Sequence, residues 1–173
     1  KMVENGSKKL AKKTEPSIKK LESILENTIK DQSFADVSVG AFLSGGIDSS
    51  LIVALMKRVL DRQVKTFTIG FNEAEFNESK HAKSVAQELN TEHTELIITP
   101  KDAIETIYQM PQIYDEPFAD SSQIPTYLVS RTAREDVKVA LTGDGGDEIF
   151  GGYNRHIYGP KLFKTMKAMP RGF

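Results

Sequence analysis

Short apolar runs rich in β-branched residues alternate with helical patterns along most of this 173-residue chain. Four runs have the length and composition of buried strands, namely 37–43, 64–71, 93–99 and 137–142. The segments 49–60, 77–90, 100–110 and 124–134 repeat apolar residues every three or four positions, which predicts helices. This alternation predicts an α/β fold, with a doubly wound parallel sheet of about four or five strands and helices on both faces.

A further helical pattern precedes the first predicted strand and begins at Ser17, which is a suitable N-cap residue. The apolar positions of this segment share one predicted face: Ile18, Leu21, Ile24, Leu25, Thr28 and Ile29. After Tyr153 the periodicity weakens, and residues 159–173 predict a short helix that stops at Pro170.

The composition is that of an ordinary soluble globular protein, with 39% hydrophobic and 27% charged residues. The net charge of −1 gives no electrostatic reason to expect a nucleic-acid partner. The sequence has no cysteine, which excludes a thiolate metal site or a cysteine nucleophile in this chain and fits a reducing compartment. No stretch approaches the length of a transmembrane helix, so we expect no membrane partner and a cytoplasmic location. His81, His93 and His156 share no metal-ligand spacing and are interpreted as surface or packing residues.

The stretch "SGGIDSS", residues 44–50, lies between the first predicted strand and the helix that follows it. Glycines permit a sharp turn and a close approach of a ligand to the backbone, and a helix N-terminus offers unpaired N–H donors. Such loops bind anions, usually phosphate, and Ser44, Ser49 and Ser50 add hydroxyl donors. The alternative is a plain glycine turn in which Asp48 or Ser49 only caps the helix.

Asp48 is the unexpected residue in this loop, because a bare carboxylate repels phosphate unless a cation lies between them. Mg²⁺ binds a carboxylate together with phosphate oxygens. The loop therefore predicts a magnesium-bound phosphate chain. It matches neither the Walker A pattern nor GxGxxG.

A second glycine-rich stretch, "LTGDGGDEIFGGY" at 141–153, follows the fourth predicted strand. It contains Asp144, Asp147 and Glu148, and like charges so close together favour a bound cation or proton. A flexible acidic turn that caps the next helix is the alternative. Ligands of open parallel sheets bind beyond the carboxyl ends of the strands, and both stretches follow strands.

SGGxDSS resembles the pyrophosphate loop of the N-type ATP pyrophosphatases, which adenylate a substrate and release pyrophosphate. GMP synthetase, NAD synthetase, argininosuccinate synthetase, tRNA-modifying ligases and asparagine synthetase share it, so this loop alone does not choose among them. The second stretch resembles the [ST]G[ED]GxDExFGGY motif of the glutamine-hydrolysing asparagine synthetases. The segments "TFTIGF", "NESKHAKSVAQELNTEHTEL" and "YDEPFADSSQIPTYLVSR" extend the resemblance over about residues 17–160. It implies an adenine nucleotide alpha-hydrolase-like, Rossmann-like fold.

The resemblance implies a site that uses ATP and Mg²⁺. Contacts to ATP are expected from Leu43, Ser44, Gly45, Gly46, Asp48, Ser49, Ser50, Ile69, Thr142 and Gly143. Asp48 and Asp147 are expected to hold magnesium on the pyrophosphate, and Asp144 is expected to be catalytic. Asp144 stands where many members have glutamate, close to the reacting carboxylate.

The segment "YDEPFADSS" is a candidate for the acceptor site. Its carboxylates, Asp115, Glu116 and Asp120, are expected to face an amine or a metal, and Ser121 and Ser122 to bind a carboxylate. The alternative is a loop whose shape is fixed by Pro117.

The reaction implied by the resemblance is ATP-dependent amidation of a carboxylate, by default aspartate to asparagine. It proceeds through an acyl-adenylate and releases AMP and pyrophosphate, with ammonia supplied by a glutaminase domain. The resemblance also allows a homodimer of the full-length protein. Relatives amidate sugar acids or close β-lactam rings, so the sequence does not name the acceptor.

The chain is predicted to comprise a flexible lead-in (1–16), the synthetase domain (17–160) and the start of a truncated helical continuation (161–173). The glutaminase domain and a later catalytic lysine of the family are not recognised in it, so we expect it to be inactive, or nearly so, alone. Two alternatives stay open: an ATP pyrophosphatase that acts on tRNA, and a non-catalytic nucleotide-binding module.

Overall fold

The computed structural model describes residues 14–72, 78–117 and 119–168. Helices and strands alternate along these residues as the sequence predicts. The elements are α1 (Thr14–Ser33), β1 (Val39–Phe42), α2 (Ile47–Val59), β2 (Lys65–Phe71), α3 (Ser79–Glu88), β3 (Glu92–Ile98), α4 (Pro100–Ile107), α5 (Met110–Ile113), α6 (Gln123–Asp136), β4 (Val139–Leu141), α7 (Gly146–Phe150) and α8 (Asn154–Ala168).

The four strands form one parallel sheet in the order β3-β2-β1-β4. Ala41 of β1 lies opposite Thr66 of β2 on one side and Leu141 of β4 on the other. The chain therefore moves from β1 outward to β2 and β3, and then returns to place β4 on the opposite side of β1. The predicted parallel sheet is confirmed, and its topological switch point lies between β1 and β4.

Each face of the sheet carries its own apolar core, so the predicted helices on both faces are also confirmed. The larger core joins α1, α2 and α3 to the sheet through Ile29, Val39, Ala41, Leu43, Val53, Leu55, Met56, Val64, Ala82 and Ala86. The smaller core joins Phe67 to Ala133 and Val137, with Phe42 and Val129 packed against it. Neighbouring residues of a strand point to opposite faces, which is why Ala41 and Phe42 belong to different cores.

The predicted start of the first helix is wrong, because Thr14 is already helical and Ser17 lies inside α1. Only the later part of its apolar face is covered. Ile29 is buried, whereas Ile18 and Ile24 are 59% and 51% exposed. Periodicity identified the apolar face of the helix but could not show how far along that face the neighbouring helix α2 extends.

The helix predicted over 100–110 is divided into α4 and α5. Pro100 is the first residue of α4, as predicted, and Thr99 forms a capping box with Asp102: the Asp102 amide donates to Thr99 Oγ1 (3.3 Å) and the Thr99 amide to Asp102 Oδ2 (2.9 Å). Pro111 cannot continue α4, because its ring would clash with the carbonyl group one turn earlier.

The last two helices differ from the prediction. Part of the second glycine-rich stretch, expected to be a loop, forms the short helix α7. α8 starts at Asn154 and continues through Pro160, and the predicted stop at Pro170 lies outside the described residues. Within the described ranges, no helix is long and apolar enough to cross a membrane.

Candidate nucleotide-binding site

The strand order places the two glycine-rich stretches side by side. Residues 44–50 follow β1 and residues 142–152 follow β4, and these parallel strands are direct neighbours. Their carboxyl ends therefore meet at one edge of the sheet, at the switch point where ligands of such sheets bind. We refer to residues 44–50 as the first loop and to residues 142–152 as the second loop.

The serines of the first loop bond to one another and to its backbone. The hydroxyls of Ser44 and Ser49 lie 2.9 Å apart, and the Ser44 amide donates to Ser49 Oγ (3.2 Å). The Gly46 amide donates to Ser44 Oγ (3.2 Å), and Ser49 Oγ donates to the Gly46 carbonyl (3.3 Å). Both serines thus fix the shape of the loop, a role that the sequence did not suggest.

The start of α2 has the form of an anion site. Gly46 is the N-cap and has no side chain that could cap the helix, and Asp48 and Ser49 lie inside the first turn. The alternative in which Asp48 or Ser49 only caps the helix is therefore not what the structure contains. The first-turn amides of this 13-residue helix have no intrahelical acceptor and point beyond its positive end, where phosphate binds well.

Gly45 joins the first loop to α3. Its φ of +82° lies in the left-handed region that favours glycine. A Cβ at this position would also come within 2.6 Å of the Ala82 amide nitrogen and 2.8 Å of the His81 carbonyl carbon. The backbone at 45 therefore packs directly on the first turns of α3, and no other residue type fits.

The second loop packs on the first in a similar way. A Cβ on Gly143 would lie 2.8 Å from the Ser49 amide nitrogen, and one on Gly146 would overlap the Asp48 carboxylate. Two of the glycines in the second motif are thus required by the first loop. The structure brings the two predicted motifs into direct contact.

The three aspartates of the two loops are available to a ligand. Across the described residues, the carboxylates of Asp48, Asp144 and Asp147 make no hydrogen bond or ion pair. The Asp144 amide donates to Thr142 Oγ1 (2.9 Å), which forms a tight turn and leaves the Asp144 side chain exposed. The Asp147 carboxylate lies against Gly152, where a Cβ would overlap Oδ1.

The fit of these residues to Mg²⁺ rests on their chemistry and placement. No group of three or more acidic, histidine or cysteine side chains in the described segments is arranged to hold a metal. Magnesium, however, is usually held by one or two carboxylates plus substrate phosphates and waters. Asp48, with the backbone before Asp147 pressed against it, fits that arrangement next to an anion site.

A cluster of side chains closes the second loop. Tyr153 Oη donates to Glu148 Oε1 (2.6 Å), and the Arg155 guanidinium lies 4.1 Å over the Tyr153 ring. This hydrogen bond lowers the pKa of the Glu148 carboxyl and raises that of the Tyr153 hydroxyl. Glu148 is therefore kept ionised by Tyr153, and Arg155 is placed on the ring instead of standing free.

A cavity of about 190 Å³ lies beside the first loop, at the carboxyl end of β1 and against the middle of β2. Three predicted ATP contacts line it, Leu43, Ser44 and Ile69. The sequence missed the remaining lining residues: Phe42, Phe67, Thr68, Glu78, Pro125, Thr126 and Val129. They come from β1, β2, the start of α3 and the first turns of α6, and only the tertiary structure shows that these segments meet.

The segment predicted to shape the acceptor site is divided. Asp115 and Glu116 line a second cavity of about 370 Å³, together with apolar residues of α4, α5 and α6. Asp120 instead accepts hydrogen bonds from the Ser122 amide (2.8 Å) and hydroxyl (2.7 Å), which lower its pKa. Ser121 and Ser122 are exposed and do not line that cavity.

The sheet and its two loops define an α/β domain with a parallel four-stranded sheet and two glycine-rich loops at its switch point. Solved structures with this fold include an NH3-dependent NAD synthetase from Campylobacter jejuni (TM-score 0.54, 20% identity, covering 79% of this chain and 60% of that one). An NMN synthetase from Francisella tularensis also has a TM-score of 0.54, with 17% identity over 80% of this chain and 59% of that one. These two similarities concern the fold alone.

The sequence matches the asparagine synthase family over residues 20–171, and the chain belongs to that family. A relative from Methanocaldococcus jannaschii is 44% identical over 142 residues, which cover 82% of this chain and 27% of that protein. Asparagine synthetase [glutamine-hydrolyzing] 1 of Bacillus subtilis is 38% identical over 156 residues, which cover 90% of this chain and 24% of that protein. The chain thus spans about a quarter of the length of these curated relatives.

Proposed function

We propose that this chain forms the ATP-binding part of a ligase that amidates a carboxylate, with aspartate converted to asparagine. The proposal is supported most directly by the contact between the two loops, which places Asp48 against Gly146 at the switch point of the sheet. It is also supported by the family assignment and by the names of the relatives, which are glutamine-hydrolysing asparagine synthetases.

The first loop and the start of α2 would bind the phosphates of ATP. The backbone amides and the positive end of α2 are fixed before the ligand arrives, because Ser44 and Ser49 hold the loop in shape. Preorganised donors of this kind stabilise charge that develops on a leaving group at little reorganisation cost. Pyrophosphate is the leaving group when the acceptor carboxylate attacks the α-phosphorus.

Asp48 and Asp147 would hold Mg²⁺ against the pyrophosphate. When bound, Mg²⁺ neutralises charge on the phosphate oxygens and so favours departure of pyrophosphate. Without a cation, Asp48 would repel the phosphates. A bound Mg²⁺ would therefore account for the carboxylate in the first turn of α2. Gly146 leaves space for that carboxylate, because any side chain at this position would displace it.

The proposed reaction has two steps. The acceptor carboxylate oxygen bonds to the α-phosphorus and pyrophosphate leaves, which gives an acyl-adenylate. Ammonia then attacks the acyl carbon, AMP leaves with the bonding electron pair, and the nitrogen loses a proton to give the amide. Such a reaction needs positioning more than a protein nucleophile.

We further propose that the second loop faces the reacting carboxylate, with Asp144 as its exposed carboxylate there. Asp115 and Glu116 remain candidates for the acceptor amine, because they line a common cavity. Asp120, Ser121 and Ser122 stay as weaker members of the acceptor set, since Asp120 is already bonded to Ser122. Ammonia would come from glutamine hydrolysed by another domain.

Binding of ATP with and without MgCl₂ tests the nucleotide site, by calorimetry on this chain. We expect Asp48→Asn to weaken magnesium-dependent ATP binding on the order of tenfold, since one charged contact to the cation is lost. Asp61→Asn is the matched control, because Asp61 is an exposed aspartate in the turn after α2. Unchanged binding in Asp48→Asn would favour the non-catalytic nucleotide-binding module.

The amidation itself is tested on the protein that carries this chain at the length of its relatives. We expect pyrophosphate and AMP to be released in equal amounts when aspartate and ammonium are supplied with ATP. Release of ADP, or no dependence on any carboxylate acceptor, would contradict the proposed reaction.

A further inference from the structure

The Asp147 carboxylate rests on the glycine pair that follows α7. A Cβ on Gly152 would overlap Asp147 Oδ1, so the carboxylate occupies the space that a side chain at 152 would fill. The amides of Gly151 (3.0 Å) and Gly152 (3.1 Å) both donate to the Asp147 carbonyl, and Gly151 has a φ of +74°. The position of Gly152 therefore limits where the Asp147 carboxylate can lie.

Tyr153, the next residue, closes this turn with its side chain. Its hydroxyl donates to Oε1 of Glu148 (2.6 Å), the residue that follows Asp147 in α7. A hydrogen bond to a carboxylate is shorter and stronger than one between neutral groups. Together with the two backbone bonds, it ties the two ends of the segment 147–153 to each other.

The Tyr153 ring is itself held by the first turn of α8. The Arg155 guanidinium lies 4.1 Å from the centroid of the ring. The His156 ring stacks on the same ring, with 6.0 Å between the centroids and an angle of 19° between the planes. The His156 amide also donates to the Tyr153 carbonyl (2.9 Å). Tyr153 therefore connects α7, which carries Asp147, to the start of α8.

We propose that Tyr153 is a positioning residue that holds the Asp147 carboxylate in place for Mg²⁺ before the ion binds. The inference rests on the proposed function, in which Asp147 is a magnesium ligand. Tyr153 acts through its hydrogen bond to Glu148 and through the adjacent Gly152, and not by contact with the nucleotide. A carboxylate that is fixed in advance loses less conformational freedom when it binds a cation, and so binds it more tightly.

Tyr153→Phe tests the inference, because it removes the hydroxyl and keeps both the ring and the net charge. The affinity for ATP is measured by calorimetry with and without MgCl₂, and the ratio of the two affinities gives the magnesium dependence. The net contribution of one hydrogen bond corresponds to roughly threefold to tenfold in an equilibrium constant. We expect the magnesium dependence of Tyr153→Phe to fall by about that factor, while ATP binding without Mg²⁺ stays unchanged.

Tyr158→Phe is the matched control. Tyr158 is an exposed tyrosine of α8 that also has a cation, Lys161, beside its ring (5.7 Å). Its hydroxyl is not part of the turn at 147–153, so this variant should keep the magnesium dependence of the unmodified chain. Thermal unfolding verifies that both variants are folded.

Substitutions at Glu148 test whether the hydrogen bond carries the effect. The side-chain oxygen of glutamine still accepts from Tyr153, so Glu148→Gln should retain more of the magnesium dependence than Glu148→Ala. Adding Tyr153→Phe to Glu148→Ala should cause no further loss, because the bond is already absent.

A second measurement needs neither ATP nor Mg²⁺. Hydrogen exchange of the Gly151 and Gly152 amides is followed by NMR on the ligand-free chain. It should be severalfold faster in Tyr153→Phe than in Tyr158→Phe, because the turn that holds these amides on Asp147 opens more often. Equal exchange in the two variants would overturn the inference.

The calorimetric results separate this inference from the proposed function. Equal magnesium dependence in Tyr153→Phe and Tyr158→Phe would refute the inference and leave the proposed ATP site intact. Loss of the magnesium dependence in Glu148→Gln, with Tyr153→Phe unaffected, would make Glu148 a direct ligand and also refute it. Absence of magnesium-dependent ATP binding by the unmodified chain would refute both the inference and the proposed function.

Discussion

Gly146 of the second loop lies directly against the carboxylate of Asp48 in the first, with no space for a Cβ between them. The two residues are far apart in the sequence and meet because β1 and β4 are neighbours. The contact explains why position 146 of the second loop needs a glycine. It also gives the first prediction.

Gly146→Ala should displace the Asp48 carboxylate and weaken magnesium-dependent ATP binding on the order of tenfold. Binding is measured by calorimetry with and without MgCl₂. Gly159→Ala in α8 is the control, because a Cβ there meets nothing within 4 Å. Equal magnesium dependence in the two variants would show that Asp48 does not act through its position against Gly146.

Gly45→Ala should destabilise the fold more than Gly145→Ala, although both glycines have positive φ angles of 82° and 87°. The left-handed conformation costs a non-glycine residue about 1–2 kcal/mol at either site. At 45 the added methyl also meets the backbone of α3, which adds about 1–3 kcal/mol, whereas nothing lies within 4 Å at 145. Denaturant unfolding measures the difference, and equal losses would contradict the packing of the first loop on α3.

Thr126→Phe should block the cavity beside the first loop. Thr126 is exposed at its rim, on the first turns of α6, so a larger side chain there enters the space without disturbing a core. We expect ATP affinity to fall at least about tenfold, while inorganic pyrophosphate with Mg²⁺ still binds to the loops. Ser130→Phe, exposed on the same helix, is the control, and a similar loss of ATP binding in both variants would show that the cavity is not part of the ATP site.

Stability should decrease as the pH falls through the ordinary pKa of histidine, about 6.5, because of His93. Burial lowers the pKa of His93; its Nδ1 bonds to Thr66 Oγ1 (2.9 Å), and its Nε2 is buried without a partner among the described residues. The unfolded chain therefore takes up a proton at a higher pH than the folded chain, which favours unfolding below that value.

The pH effect is measured by denaturant unfolding at about pH 7.5 and about pH 5.5, on either side of the ordinary histidine pKa. In His93→Gln the difference in unfolding free energy between the two conditions should shrink. His81→Gln removes an exposed histidine from α3 and should leave that difference unchanged. If the unfolding free energies of the two variants depend on pH equally, His93 is excluded as the cause of the pH dependence.

The sequence was sufficient to predict the elements and the class of fold, because the information is local. Alternating strand and helix periods follow from which side chains are buried, and burial on both faces of β1 gives the uninterrupted apolar run at 39–42. The loops could also be recognised, because glycines followed by Asp48 at the start of a helix have a direct physical meaning. Their proposed roles in binding ATP and magnesium remain predictions.

Other features were missed because they depend on distant segments. Nothing local distinguishes Glu78 from the other exposed glutamates, and it lines the cavity because α3 packs on Gly45. The sequence predicted that the acceptor segment acts as one unit. In the structure Asp120 accepts a hydrogen bond from Ser122, whereas Asp115 and Glu116 line a cavity with α5 and α6. Ile18 and Ile24 belong to the predicted apolar face of α1 but are exposed. An apolar pattern does not reveal whether another element covers it.

By itself the sequence determined the alternating α/β architecture, the two glycine-rich loops and the carboxylates within them, since each is specified by residues adjacent along the chain. The tertiary structure decided that β4 returns to the free side of β1, and this single choice brings Gly146 to Asp48 and creates the site. Strand order depends on packing between segments that are distant in sequence, so it could not be derived from local periodicity.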